Sequence, residues 1–386
     1  MLHRRVFVLA APIALSALSL AACGGGSGSG SSDKKTYAIA YQGPLSGDNA
    51  ALGINMDNGV KLAIEQANKK GDLPFTLTFE HSDDMGTPDQ GPTAAQKLID
   101  NTKIVAVVGP AFSGATKASE PLFSQANLVS ISPSATNPKL TSLGFKTFYR
   151  VVPPDDAQGQ EAAAYMAKGL KAKKIYSIDD KSEYGTGLSG VIEPALKAAG
   201  VTFIHDGIPP TKDYGAEAQK VAGAGVDTVY YSGYFADFAL LIKALKGAGF
   251  TGNILSGDGS NDDQLIKLAG AQSDGVYLTC PCGDANVDPK AAAFTQAYKA
   301  KYNVDPGTYS PESYDAANAI IEAMKGLKGK ITRQAVADAV KGVNYVGLTK
   351  TIKFEPSGEV QGKTIFVYQV KGGKRAILGT TAELTK

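Results

Sequence analysis

The chain has 386 residues, with 39 lysines and arginines against 37 aspartates and glutamates. This length exceeds what a single hydrophobic core usually supports, so a body of two lobes is expected. Removal of residues 1–22, which contain two arginines and no acid, would leave 37 basic and 37 acidic residues. This balance excludes the basic excess that is typical of a nucleic-acid-binding protein.

The N-terminal segment has the layout of a secretory signal. Arg4 and Arg5 precede an apolar run over residues 6–22, which is shorter than the roughly 20 residues of a permanent spanning helix. The small residues before Cys23 resemble the bacterial lipobox, which implies cleavage there and lipidation of Cys23; the alternative is an ordinary signal with an incidental cysteine. Residues 23–34 are rich in glycine and serine and predict a flexible tether. We therefore expect an exported protein that is anchored to the bacterial membrane.

Strand-like and helix-like segments alternate beyond residue 35, in two series. The first series has strands at 36–41, 75–80 and 104–108 and helices at 55–67 and 92–99. The second has strands at 174–178, 201–204 and 228–232 and helices at 187–198, 216–221 and 235–245. Such alternation predicts parallel-type sheets covered on both faces, here in two Rossmann-like α/β lobes. Periodicity does not assign the later helices at 291–302 and 313–324 or the strand at 363–370 to either lobe.

The loops that follow the predicted strands hold the candidate ligand site. In open α/β sheets, ligands bind outside the carboxyl ends of the strands. The candidate ligand-binding loops are therefore the ones that follow residues 41, 80, 108, 131, 178, 232 and 255. Between the two series, residues 148–156 contain consecutive prolines and predict the first crossover from lobe to lobe.

These loops carry motifs whose order and spacing together are specific. The motifs are GPLSG at 43–47, SDD at 82–84, VGPAFSG at 108–114, SPSATNP at 132–138, FYR at 148–150, EYG at 183–185, GY at 233–234 and YDAA at 314–317. From about residue 36 to 370 the chain resembles the periplasmic leucine/isoleucine/valine-binding proteins, the type I solute-binding components of ABC importers.

This resemblance implies two lobes joined by a hinge of three crossovers. Lobe I would comprise residues 35–154 plus 284–350, and lobe II residues 155–283 plus 351–386. It further implies a monomer without cofactor or catalysis, which closes on a free amino acid with a branched-chain or other apolar or aromatic side chain and delivers it to a permease.

The loop after residue 108 suits a carboxylate. Ser113 lies between a buried strand and a helix predicted to begin near Ala115, so backbone N–H groups and a hydroxyl can converge on an anion. The alternative is a serine that merely caps the helix. The resemblance adds Phe112 and the segment Ser134, Ala135 and Thr136 to the ligand site, with Ser113, Ser134 and Thr136 gripping the carboxylate and amino group of the ligand.

The resemblance places an acid after a late strand of the second lobe. The matching residue is Asp258, the candidate partner of the ligand ammonium; the alternative is a solvated Asp-Gly turn. Tyr184 and Tyr234 match aromatic positions that cover the ligand, although lone tyrosines are also common packing residues. Leu52 aligns with a tyrosine of the family, which implies an altered pocket for the ligand side chain.

Three alternatives remain open from the sequence. G-x-G-x-x-G at 185–190 matches a dinucleotide fingerprint and suggests an NAD-dependent oxidoreductase, but six residues separate it from the preceding strand. His81 and His205 are the histidines available to a hydrolase outside the signal. Relatives of the same fold also take amides, urea or aromatic acids, to which a buried aspartate offers no suitable partner.

The remaining cysteines are Cys280 and Cys282, which flank Pro281. Outside the cytoplasm they can form a disulfide, or they can remain free thiols. A Cys-x-Cys pair is only half of a metal site and no histidine ligands lie near it in the sequence, so no metal is predicted.

Overall fold

The structure, a computed structural model, describes residues 34–386. The predicted signal segment, Cys23 and all but the last residue of the tether lie outside the described residues, so export and lipidation stay predictions. The strands are β1 (Thr36–Gly43), β2 (Thr76–Asp83), β3 (Ile104–Val108), β4 (Val129–Ser132), β5 (Phe148–Arg150), β6 (Lys174–Asp179), β7 (Thr202–Gly207), β8 (Thr228–Ser232), β9 (Asn253–Ser256), β10 (Tyr277–Cys280), β11 (Asn344–Val346), β12 (Thr351–Lys353), β13 (Phe366–Lys371) and β14 (Lys374–Thr380).

Twelve α-helices connect these strands within residues 34–386. They are α1 (Ala50–Lys70), α2 (Gly91–Asp100), α3 (Ser113–Gln125), α4 (Asp155–Ala164), α5 (Glu183–Ala198), α6 (Gly215–Gly223), α7 (Phe235–Gly247), α8 (Asp263–Ala269), α9 (Ala292–Tyr302), α10 (Ser310–Lys325), α11 (Arg333–Val340) and α12 (Thr381–Leu384). In this part of the chain no helix combines the length and apolar character needed to cross a bilayer.

The strands form two main sheets. The first has the order β2-β1-β3-β4-β5, and all its neighbouring strands are parallel. The second has the order β14-β13-β10-β9-β8-β6-β7, in which β13 runs antiparallel to both β10 and β14. Central strands such as β3 and β8 are buried along their whole length. The sequence of β3, IVAVV, is apolar throughout, as burial on both faces favours. The predicted two-sheet α/β fold is therefore confirmed.

The late helices, which periodicity did not assign to either lobe, pack beside the first sheet. Both α9 and α10 contact α1, and α11 packs against β3 and β4. The chain passes from β5 of the first sheet to α4, which packs on α5 of the second, so the proline-rich segment 151–154 connects the two bodies.

Contacts of residues 354–358 bear on the third connection, which the sequence predicts near residue 350. Phe354 packs on Tyr149 of β5, with 4.8 Å between ring centroids. The Gly358 carbonyl accepts the Arg150 N–H at 3.1 Å. Because both contacts join this segment to the first sheet, we propose that the third crossover occupies residues 361–365.

A buried acid in α3 is expected to make the stability of the fold depend on pH. Glu120 is fully buried and accepts a 2.5 Å hydrogen bond from Ser130, and its burial raises its pKa to about 8. In the unfolded chain it loses its proton near pH 4.5, so its contribution to stability falls as the pH rises from that value to about 8. We expect Glu120→Gln to remove this slope and to gain up to about 4 kcal/mol over the wild type above pH 8.

Urea unfolding at pH 5 and pH 8.5 measures this difference. The exposed Glu355→Gln serves as the control with the same change of charge. If Glu120→Gln and the wild type lose stability in parallel with pH, Glu120 is not the group responsible.

Candidate functional site

Loops from both sheets enclose one small cavity. Its lining contains seven of the nine residues predicted to bind ligand: Leu52, Phe112, Ser113, Ser134, Tyr184, Tyr234 and Asp258. Ala111, Gly259 and Tyr309 complete the lining, and Ala135 and Thr136 lie outside it. The cavity measures only ≈ 10 Å³, about the space that one water molecule needs. An amino acid therefore enters only if the surrounding groups move apart.

The cavity lies at the carboxyl ends of four strands, as the topology predicts. Residues 111–113 follow β3, Ser134 follows β4, Tyr234 follows β8 and Asp258 follows β9. Leu52, which precedes the helix predicted at 55–67, lies in the first turn of α1.

The start of α3 forms one wall of the cavity. The helix begins at Ser113 rather than near Ala115, and Phe112 occupies the N-cap position. Ser113 is not a helix cap: its Oγ accepts the Asn137 N–H at 3.2 Å, which leaves its own hydroxyl hydrogen free to donate. The first N–H groups of a helix lack intrahelical partners and favour a negative charge. This wall therefore suits an anion.

The opposite wall contains a buried carboxyl group. Asp258 is buried and accepts hydrogen bonds from Gln158 at 2.6 Å, Tyr184 at 2.7 Å and Tyr309 at 2.6 Å. Burial raises the pKa of Asp258, and these three hydrogen bonds lower it in part. The alternative of a solvated Asp-Gly turn is wrong, because the carboxylate is enclosed.

A second carboxyl group, which the sequence analysis missed, lies beside the first. Asp155 is fully buried at the start of α4, and Gln158 Nε2 donates to both Asp155 (3.1 Å) and Asp258 (2.6 Å). Burial and the nearby Asp258 raise the pKa of Asp155 well above its usual value. A cation beside these two acids would favour their ionised forms, so the acids suit this wall for a positively charged group.

Tyr309 was also missed, and its backbone is strained. Its φ is 65°, in the left-handed region that a bulky residue rarely adopts. Tyr309 occupies the N-cap of α10 in this conformation, and its hydroxyl reaches Asp258. No periodicity marks such a residue, because it belongs to a loop.

Aromatic rings close the cavity across the two sheets. Phe112 from the first body stacks on Tyr234 from the second, with ring centroids 4.3 Å apart and an interplanar angle of 19°. Tyr184 packs at 5.2 Å from Tyr234, and its hydroxyl also accepts the Gly259 N–H. These tyrosines therefore line the cavity as well as packing against each other.

Arg150 holds the loop behind the cavity. Its guanidinium is fully buried, binds both carboxylate oxygens of Glu359, and donates to the carbonyls of Ala135 (3.0 Å) and Asn137 (2.9 Å). Between those carbonyls lies Thr136, whose buried hydroxyl is near enough to the Asp155 carboxyl to lower its pKa in part. Ser134, in contrast, donates its hydroxyl to the Ala111 carbonyl at 2.7 Å.

Comparison with known proteins decides the family. A model of the periplasmic binding protein family matches residues 36–375. The chain belongs to the periplasmic binding protein family. Since its proteins are periplasmic solute-binding proteins, an extracytoplasmic location follows, and the family is not one of enzymes.

Individual relatives confirm the resemblance to branched-chain amino-acid-binding proteins. The leucine-, isoleucine-, valine-, threonine- and alanine-binding protein of Pseudomonas aeruginosa is 31% identical over 338 residues, covering 86% of this chain and 90% of that protein. A leucine-binding protein of Thermotoga maritima superposes with a TM-score of 0.82 at 26% identity, covering 89% and 98% of the two chains. A branched-chain amino acid transporter substrate-binding protein of Streptococcus pneumoniae in complex with isoleucine gives 0.81 at 27% identity, covering 89% and 100%.

In this periplasmic binding protein, the G-x-G-x-x-G motif serves packing. The interpretation as a dinucleotide fingerprint is wrong, because residues 185–190 lie inside α5 rather than in a turn after a strand. A Cβ on Gly185 would lie 2.5 Å from the Ser232 carbonyl oxygen, and one on Gly187 would collide with the Asn137 side chain. Asn137 Nδ2 donates to the Glu183 carbonyl at 2.6 Å, so Gly187 permits close contact between the two bodies, whereas Gly185 permits close packing within the second.

The other sequence alternatives concern histidines and cysteines. His81 contacts Asp57, and His205 contacts Asp179 and Glu193. The side chains that pair with both histidines are therefore carboxylates. Cys280 and Cys282 are joined by a disulfide at the end of β10. Within residues 34–386, no group of three or more His, Cys, Asp or Glu side chains is arranged to hold a metal ion.

Proposed function

We propose that this chain is the lipid-anchored solute-binding component of an ABC importer and that it captures a free amino acid with a branched or other apolar side chain. The observation that carries the proposal is the polarity of the cavity. An anion-binding helix start with Ser113 forms one wall, and the buried acid Asp258 forms another. Only a ligand with both a carboxylate and an ammonium group satisfies both walls.

The ligand is expected to lie between these walls. Its carboxylate accepts hydrogen bonds from the Ser113 hydroxyl and from the first N–H groups of α3. Thr136 does not line the cavity and its hydroxyl lies beside Asp155, so it would act on the ligand only after the loop moves. The ammonium of the ligand takes the place of part of the hydrogen bonding that Gln158, Tyr184 and Tyr309 now give to Asp258. Its side chain contacts Leu52, Phe112 and Tyr234, whose apolar surfaces match the substrates named for the relatives.

Binding would proceed by separation and closure of the two bodies. The cavity of ≈ 10 Å³ corresponds to a closed arrangement, in which Lys117 pairs with Glu183 and Lys212 with Asp48 across the cleft. A ligand that contacts both walls stabilises closure, because it adds interactions available only in that arrangement. A permease would recognise the closed monomer, Cys23 would keep it beside the membrane, and no chemistry on the ligand is required.

A ligand panel tests this proposal. Thermal unfolding of the mature protein is measured with free amino acids, with the corresponding amides, with urea and with benzoate. Leucine, isoleucine or valine should give the largest rise in melting temperature. A rise with amides or benzoate but not with any amino acid would contradict the assignment of Asp258 and favour the alternative ligands.

Ser113 and Leu52 should affect binding in different ways. Ser113→Ala removes one charge-assisted hydrogen bond of about 1.5–3 kcal/mol, so every amino acid should bind at least about tenfold more weakly. Leu52→Tyr should instead change the ranking among side chains. Calorimetric titration measures both, with Ser124→Ala at the other end of α3 as the matched control. Equal losses in Ser113→Ala and Ser124→Ala would exclude a specific role for Ser113.

A further inference from the structure

A second cavity lies where the connections between the two bodies meet, and it shares no lining residue with the ligand site. It measures ≈ 170 Å³. Its walls come from residues 281–285 after β10, residues 348–350 before β12 and residues 361–366 before β13, and the start of α10 forms its base. Lys350 in this wall donates to the carbonyl of Val151 in the first connection at 3.0 Å. We call this space the hinge cavity.

Glu312 in the first turn of α10 lines the hinge cavity. Its side chain is fully buried, and neither carboxylate oxygen makes a hydrogen bond of normal geometry among residues 34–386, although the backbone N–H groups of Glu312 and Gly283 lie near enough to lower its pKa in part. The Lys350 ammonium attracts it from beyond hydrogen-bonding distance, and burial raises its pKa to about 7. A buried carboxylate with so few well-placed donors is costly, and a molecule in the cavity that donates N–H groups to it would offset that cost.

The charges and size of the hinge cavity define the ligand class. Asp284, Asp288 and Glu312 are the acids of its lining, and Lys350 is the base, so the lining has an excess of negative charge. Apolar surface from Leu348 and Phe366 covers much of the rest. Cavities of about 150 Å³ accept a benzene-sized molecule. The occupant is thus a small molecule with an apolar part and N–H donors.

We propose that the hinge cavity is a second binding site, which takes a small organic ammonium ion through the carboxylate of Glu312. The site is also linked to the first cavity by a short stretch of chain. Tyr309, whose hydroxyl binds Asp258, precedes Glu312 by three residues at the start of α10. A cation at Glu312 stabilises the arrangement of the three connections in which the cavity exists, so it changes the equilibrium between open and closed forms. Affinities at the two sites then change each other by the same factor.

Calorimetric titration of the full chain with n-butylammonium chloride tests the proposal. The titration is repeated in Asp258→Asn, in which the first site lacks its ammonium partner, so binding there cannot account for the signal. We expect saturable binding in both proteins and a loss of about tenfold or more in Glu312→Gln. Glu322→Gln is the matched control, because it makes the same change on an exposed position of α10.

Three results would overturn the inference. They are binding no stronger than that of 1-butanol or potassium chloride, equal affinities in Glu312→Gln and Glu322→Gln, and loss of the signal in Asp258→Asn. The outcome is separate from that of the proposed function. A protein that binds butylammonium through Glu312 but binds no amino acid would keep the second site and contradict the first.

Discussion

Asp258→Asn should weaken the binding of leucine, isoleucine and valine by about 2–5 kcal/mol, which is roughly 30-fold or more in Kd. The substitution keeps the shape of the side chain and removes the charge that faces the ligand ammonium. Gln158, Tyr184 and Tyr309 now donate to this carboxylate and would retain only a neutral acceptor. Isothermal titration of the purified variant measures the loss.

The matched control is Asp156→Asn, an exposed acid next to Asp155 in the first turn of α4. It should bind like the wild type. Unchanged affinity in Asp258→Asn, or an equal loss in both variants, would contradict the ammonium assignment.

The same carboxylate should make affinity depend on pH. Burial raises the pKa of Asp258, so its protonation on acidification begins at a higher pH than for an exposed aspartate. Protonation removes the negative charge, and affinity should therefore fall as the pH decreases through that pKa. In Asp258→Asn the residual affinity should lack this component.

Arg150→Met should lower the free energy of unfolding by about 3–5 kcal/mol, because it leaves the partners of a buried charge unpaired. Those partners are Glu359 and the carbonyls of Ala135 and Asn137. The 135–137 loop holds Thr136, so ligand affinity should fall along with stability. Urea unfolding and calorimetric titration measure the two effects.

Two further variants separate charge from geometry. Arg150→Lys keeps the charge but loses the planar, bidentate fork, so it should recover only part of the stability. Arg150→Met combined with Glu359→Gln should be less unstable than Arg150→Met alone, since no unpaired carboxylate remains. If the double variant loses as much as the sum of the single variants, the pair does not stabilise the protein as described.

Sequence patterns predicted most of the fold because its central strands are buried on both faces. The limits of β3 and β8 agree with the prediction to the residue. Element ends were less accurate: α1 begins at Ala50, five residues before the predicted start. Membership of the late helices was not determined by periodicity, since an apolar stripe indicates that a helix packs but not on which partner.

The site was predicted where a motif follows a strand and missed where tertiary contact makes the residue important. Ser113 and Asp258 follow β3 and β9, so the rule for strand ends and the family motifs located them. Asp155 appeared in the sequence only as part of a proline-rich connection. Tyr309 lies 51 residues from the Asp258 that it contacts, and no local pattern encodes such a distance.

The G-x-G-x-x-G motif shows how a local pattern can mislead. Glycine is required at 185 and 187 because neighbouring groups approach too closely for a Cβ. The same residue type serves phosphate binding in a dinucleotide fold, and only the position of the motif relative to the strand end distinguishes the two uses.

The stacked pair of Phe112 and Tyr234 has a kinetic consequence. The rings touch across the cleft, 4.3 Å apart, and line the cavity directly. A captured molecule can leave only while these rings are separated, so the frequency of their separation sets an upper limit on the dissociation rate. Ligands of different affinity then share one upper limit on their dissociation rate. Stopped-flow displacement would show this limit as the same maximal dissociation rate for every ligand.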